Sequence, residues 1–188
     1  VVVGGTVELN ACLEDANYPP SFVHAEVLDN DTQCEVTWGL PAGPYEVLMD
    51  DGTAEDLFLW NLPGGQSAVK FTPAGYPAEI IGGRFFVGDG SFPAPFLGTE
   101  FGVAIYDDNG PGGMPGTMLD SGGVTVNNYG WVVMDDLSAT IESGNFYVAM
   151  IQAGNSLSSA PLGVDYTTPT YYKSYTKLGN EDWMVSSY

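Results

Sequence analysis

What most constrains this chain is a period of two. In SAVKFTP, Val69 and Phe71 fall on one side and Ala68, Lys70 and Thr72 on the other, because successive side chains of an extended strand point to opposite faces. AEIIGGRFFVGDG groups Ile81, Phe85 and Val87 and ends in a Gly-Asp-Gly turn, and EFGVAIYDD groups Phe101, Val103 and Ile105. GWVVMDDL sets Trp131 and Val133 against Val132 and Met134, and NFYVAMIQ groups Phe146, Val148 and Met150. PLGVDYT, TYYKSYT and DWMVSSY follow. Where both faces are apolar the strand is expected between two layers. No run of ten or more residues carries apolar positions at helical spacing.

The strand runs are separated by Gly, Pro, Asn and Asp. The 25 Gly and 13 Pro have no fixed period and interleave with apolar segments, which indicates many turns between short strands rather than disorder. The predicted fold is all-β: a jelly-roll-like antiparallel β-sandwich with a short N-terminal β segment.

Two breaks divide the chain. EDANYPPS, with Pro19-Pro20, and LPAGPYE, residues 40–46, read as linkers, since Pro cannot donate to a sheet ladder. They set off an N-terminal strand within 1–18 and a segment over 19–43, in which FVHAEVLD and CEVTWGLP pair around NDTQ. The main sandwich then occupies 44–188. A start at Val1, without an initiator Met, reads as a processed product or a fragment.

Charge narrows the function classes. Twenty-four acidic residues face four basic ones, Lys70, Arg84, Lys173 and Lys177, for a formal charge of -20. Such a surface repels phosphate backbones and anionic membranes, so nucleic acid is not an expected partner. No segment approaches the roughly 20 apolar residues of a membrane span, so no membrane insertion is expected. Two readings of the charge stay open: solubility in a salty or extracellular medium, or carboxylates that collect calcium.

In order along the chain, YEVLMDDGTAEDLFLWN, AVKFTPAGYPAEIIGGRFFV, GVAIYDDNGPGGMPGTML and GWVVMDDLSATIESGNFYVAM resemble a β-sandwich module of large secreted and cell-surface proteins of Bacteroidetes-type bacteria, many of them exported by the type IX system. PPSFVHAEVLDNDTQCEVTWGLP resembles the opening strands of a fibronectin type III-like unit, cut short. VVVGGTVELNACLED resembles the end of a carboxypeptidase regulatory-like repeat. The resemblance implies an extracellular or cell-surface location among adhesive, glycan-binding and peptidase modules. Relatives of that kind usually continue past the position of Tyr188 into one more strand. A sandwich short of a strand has an open edge, which Val1 to Leu13 is suited to fill in its own chain or a neighbouring copy, so self-association by strand addition is a second expectation.

Catalytic sets are not evident. His24 is the single histidine, no G-x-S-x-G elbow occurs, and Cys12 and Cys34 lack a partner motif. The adjacent pairs Asp50-Asp51, Asp107-Asp108 and Asp135-Asp136 point to opposite faces if extended, so by themselves they do not provide the facing carboxylates of a glycosidase, which would have to converge from different strands; a hydrolase is the least favoured reading. The chain is therefore read as non-catalytic.

Metal binding has more support. DDGTAED offers Asp50, Asp51, Glu55 and Asp56 around the Gly52 bend, a set of oxygen ligands suited to a structural calcium; the alternative is a solvated acidic turn. YDDNGPGG offers Asp107 and Asn109, but without the further acids of an EF-hand loop; an Asn-Gly turn into a long hairpin loop is the competing reading. For a glycan or other surface ligand, TPTYYKSYTK places Tyr171 and Tyr172 on opposite faces, so one faces outward, and Trp183 is a further aromatic candidate. Cys12 and Cys34 form a disulfide if geometry allows. The combined reading is a non-catalytic extracellular module for adhesion or glycan attachment, with a strand-exchanged surface fibre as the alternative.

Overall fold

The computed structural model describes residues 46–60, 62–91, 96–155, 158–165 and 173–186, together with the backbone of 22–28 and 33–39. The chain divides into two compact units, Val1–Val47 and Leu48–Tyr188. In the first, β1 (Phe22–Leu28) and β2 (Gln33–Gly39) pair antiparallel, with His24 opposite Thr37 and Val27 opposite Cys34. This is the hairpin expected around NDTQ.

The second unit is an antiparallel β-sandwich. Six of its strands form one sheet: β4 (Gln66–Phe71), β7 (Glu100–Asp107), β8 (Met118–Thr125), β11 (Phe146–Gln152), β13 (Ser174–Lys177) and β14 (Met184–Val185), in the order β14-β13-β4-β11-β7-β8. Among the described residues, three two-stranded ribbons make up the rest of the unit. They are β3 (Asp56–Phe58) with β12 (Leu162–Val164), β5 (Ala78–Ile80) with β10 (Ala139–Ile141), and β6 (Gly83–Phe86) with β9 (Trp131–Met134). Among the described residues the one helical piece is a 3-10 turn at Pro111–Gly113.

The two-residue period sorts the side chains as the sequence predicts. Phe101, Val103 and Ile105 of β7, with Phe146 and Met150 of β11, face Phe85, Val132, Met134, Ala139 and Ile141 of the ribbons in one core. Phe71 and Val148 pack against its margin. Phe71 stacks on Phe146 at 5.5 Å, and Phe85 meets Phe101 edge-on at 5.4 Å. Each such side chain, fully buried, stabilises the fold by about 1.5–3 kcal/mol.

One assignment is corrected. Ile81 does not join Phe85 and Val87 in the core: it is 47% exposed, whereas Ile80 packs against the core. The expected continuous strand is two strands, β5 paired with β10 and β6 paired with β9. The alternation restarts across Ile81–Gly82, where a Cβ on Gly82 would stand 2.0 Å from the Met134 carbonyl oxygen. Only glycine permits that approach.

The opposite face of the six-stranded sheet is also covered. Ala68, Ala104 and Ala149 make a flat floor among Tyr106, Tyr147 and Tyr175, with Met114, Ile151 and Trp183 packed against them. The small alanine side chains leave room for the tyrosine rings packed with them. Tyr147 and Tyr175 meet edge-on at 5.0 Å, as do Tyr106 and Trp183 at 5.5 Å. Met114 belongs to the Gly/Pro-rich connection between β7 and β8, so that loop folds onto this face.

Candidate functional site

The acidic stretch before β3 is brought against the end of β12. Because Asp56 lies opposite Val164, and the Glu55 N–H donates to the Val164 carbonyl at 3.0 Å, Asp165 is delivered beside Glu55. Asp51 closes the group, its N–H donating to Asp165 Oδ2 at 3.3 Å. One carboxylate oxygen from each of Asp51, Glu55 and Asp165 lies within 4.8 Å of the others. The Thr53 hydroxyl sits 2.6 Å from Asp51 Oδ1 and 2.8 Å from Glu55 Oε1, and the Thr53 N–H donates to the same Asp51 oxygen at 3.0 Å.

Of the four acids singled out here in the sequence, the fold therefore gathers two. Asp50 turns back to accept the Gly52 N–H at 2.8 Å, with Gly52 at φ +92°, a conformation that favours glycine. Asp56 accepts the Leu57 N–H at 2.7 Å. Asp165 was missed because its place depends on the pairing of β3 with β12, two strands more than a hundred residues apart. Its signal in the sequence was the acid that ends PLGVD.

Asp107 and Asn109 are engaged within their own loop. The Asp107 N–H donates to the Thr117 carbonyl at 2.9 Å, and its carbonyl accepts the Gly116 N–H at 2.8 Å. Asn109 grips Thr117 twice, accepting its N–H at 2.7 Å and donating from Nδ2 to its hydroxyl at 3.0 Å. Asp108 reaches across to β11: Asn145 donates to Asp108 Oδ2 from N–H at 2.8 Å and from Nδ2 at 2.9 Å. The Tyr147 hydroxyl donates to the Gly113 carbonyl. Burial, with Tyr175 and Asp108 nearby, holds that hydroxyl far above the ordinary tyrosine range, so it remains a donor.

The aromatic candidates separate. Tyr171, Tyr172 and Cys12 lie outside the described residues, and Cys34 is described only as a backbone position of β2. Trp183 is half-buried, edge-on to Tyr106 on one side, with the Lys177 ammonium 5.9 Å from its ring centre. Trp131, also among the aromatics the sequence offers for a sugar, belongs to a different group, whose assembly with Arg84 and Phe86 was not foreseen. On the outward side of β6 and β9, Phe86 lies opposite Trp131 and Arg84 opposite Val133. The Phe86 and Trp131 rings meet edge-on at 5.5 Å, the Arg84 guanidinium lies 4.5 Å from the Trp131 ring centre, and Val133 is 58% exposed. A guanidinium on an indole face is an attractive contact, and the rings with the guanidinium form an aromatic-cationic cluster on this side of the ribbon. Its sequence signal was alternation itself: Trp131 and Val133 fall on the face opposite the buried Val132 and Met134.

Interior space is scarce around Phe58, Trp60, Met150, Gln152 and Leu162, where the cavity measures about 10 Å³, roughly one water molecule at most. The Gln152 side chain donates to the Trp60 carbonyl and, at 3.0 Å, to that of Gly154. Among the described residues no helix is long and apolar enough to cross a membrane.

No protein-family profile matches the chain, and no solved structure does. Bacillopeptidase F of Bacillus subtilis (strain 168) is 35% identical over 129 residues, a match that covers 66% of this chain and 9% of that protein. The chain thus spans less than a tenth of the relative's length. As Val1–Val47 makes up only a quarter of the chain, the larger part of the match lies in the sandwich.

Proposed function

We propose that the chain is a non-catalytic extracellular β-sandwich module of a bacterial surface or secreted protein, serving adhesion or glycan attachment. The observation that carries this reading is the cluster of Arg84, Phe86 and Trp131 beside the exposed Val133. Aromatic rings with polar neighbours suit the apolar faces and hydroxyls of sugars. Similarity to a small part of a much longer protein, one named as a peptidase, supports the reading of a module carried within a larger chain. The test is a glycan array with a soluble-polysaccharide pull-down, run with and without calcium on the wild type and on Trp131→Ala. Loss of binding in the variant is expected, and absence of any binding by the wild type removes the glycan part of the proposal.

Calcium binding at Asp51, Glu55 and Asp165 is part of the proposal. Convergence of three carboxylates from two distant segments supports it, because calcium takes oxygen ligands. Bound there, the ion would brace β3 against β12.

A second reading is a structural repeat that assembles by strand addition. It is favoured by β14, which among the described residues ends the six-stranded sheet, pairs with β13 and exposes Met184 and Val185. Deleting Val1 to Leu13 and measuring mass in solution tests it: assemblies that revert to monomers support exchange, and an unchanged monomer rules it out.

A further inference from the structure

The Asn109-Gly110 pair carries chemistry that neither glycan nor calcium binding uses. An asparagine followed by glycine is the dipeptide in which the main-chain nitrogen most readily reaches the preceding side-chain carbonyl, since glycine has no Cβ to obstruct it. In this fold both reactants are hydrogen-bonded elsewhere. The Gly110 N–H donates to the Met114 carbonyl at 3.1 Å. The Asn109 amide is fixed at both ends by Thr117, at 2.7 and 3.0 Å. Gly116 packs over the pair so closely that a Cβ there would stand 2.0 Å from Asn109 Oδ1 and 2.4 Å from the Gly110 nitrogen. While the loop is docked, the Asn109 amide and the Gly110 N–H are both committed to these bonds.

We propose that Asn109-Gly110 is a self-modification site gated by opening of the loop over residues 108–117. When the loop lifts, the Gly110 nitrogen gives its proton to solvent base and attacks Asn109 Cγ. The Cγ–Nδ2 bond breaks as Nδ2 takes a proton from solvent and leaves as ammonia, and a five-membered succinimide forms. Water then opens that ring on either side, giving aspartate or isoaspartate, with no change of oxidation state.

The isoaspartate product makes the event one-way. It adds a main-chain atom inside a turn held by Gly116 N–H to Asp107 carbonyl at 2.8 Å and Gly113 N–H to Gly110 carbonyl at 3.0 Å. It also places a new negative charge next to Asp107 and Asp108. The lengthened turn no longer seats Met114 against the Tyr106–Tyr147 face, so the modified chain keeps a record of having opened.

The experiment holds the full chain at mildly alkaline pH, native in one arm and urea-unfolded in the other, and follows residue 109 by peptide mapping in a mass spectrometer. Asn109 is expected to convert in the unfolded chain and at least ~10-fold more slowly in the native one, the protection of a segment that reacts only on local opening. Thr117→Ala, at an exposed position, removes the acceptor of Asn109 Nδ2 and should raise the native rate several-fold while leaving the unfolded rate unchanged. Equal rates in native and unfolded wild type, no conversion in the unfolded chain, or a native Thr117→Ala rate equal to wild type would each overturn the proposal. If Thr117→Ala fails to fold, the wild-type comparison decides alone.

Discussion

A single oxygen of Asp108 accepts two hydrogen bonds from Asn145, at 2.8 Å from the main-chain N–H and 2.9 Å from Nδ2. This pins the start of the Gly/Pro-rich loop to the turn that enters β11. Asp108→Ala leaves both half-buried donors without that partner, and charge-assisted bonds are the stronger kind. It should destabilise the sandwich by about 1–3 kcal/mol. Urea unfolding should show a lower midpoint at unchanged slope, and limited proteolysis should cut first within 110–116.

Asp120 closes the edge of β8 in a pH-dependent way. Its carboxylate accepts the Ser138 N–H at 2.7 Å and the Ser121 N–H at 2.8 Å, and these bonds, Ser138 first, lower its pKa. A carboxyl whose folded pKa is depressed contributes stability that is present above its unfolded value of about 3.9 and is lost as pH falls through the folded pKa. Wild type should therefore lose stability below about pH 4, with Asp120→Asn showing a shallower acid limb. Superimposable pH profiles of melting temperature would contradict this assignment.

The restart of alternation at Gly82 makes neighbouring isoleucines unequal. Ile81→Ser should change stability by less than about 0.5 kcal/mol, as is usual for exposed positions. Ile80→Ala, which removes packing against the core, should cost about 2 kcal/mol. Chemical denaturation of the two variants distinguishes this register from the continuous strand expected from AEIIGGRFFVGDG.

Calcium should raise the melting temperature, because a ligand bound only by the folded chain stabilises it. Asp165→Asn should abolish most of that rise, and Asp50→Asn, whose carboxylate turns back to Gly52, should leave it intact. Identical melting curves in calcium and chelator would exclude the ion from this place.

The faces of β7, β9 and β11 were legible in the sequence because period-two alternation is a local property, written within each strand. Ile81 was misassigned because a glycine that lets one backbone touch another looks, in sequence, like any other residue of a strand. Two of the three gathered acids were legible for the same local reason, as Asp51 and Glu55 share one connection. Asp165 joins them through strand pairing over a long separation, which no local pattern encodes. The Arg84–Trp131 contact likewise exists only because β6 pairs with β9. The loop after Asp107 was expected as an Asn-Gly turn into a long hairpin loop, and no local pattern told where that loop would lie. Met114 and the Tyr147 hydroxyl draw it onto the sheet, because the alanine floor leaves space for it there.

The most direct measurement of the central proposal is equilibrium binding of soluble polysaccharides to the wild type and to Trp131→Ala, with melting curves recorded in parallel. The account predicts binding by the wild type and at least ~10-fold weaker binding by the variant, the scale of a lost aromatic anchor, while the variant still unfolds cooperatively. No wild-type binding with or without calcium, or binding that survives the loss of Trp131 undiminished, would contradict it.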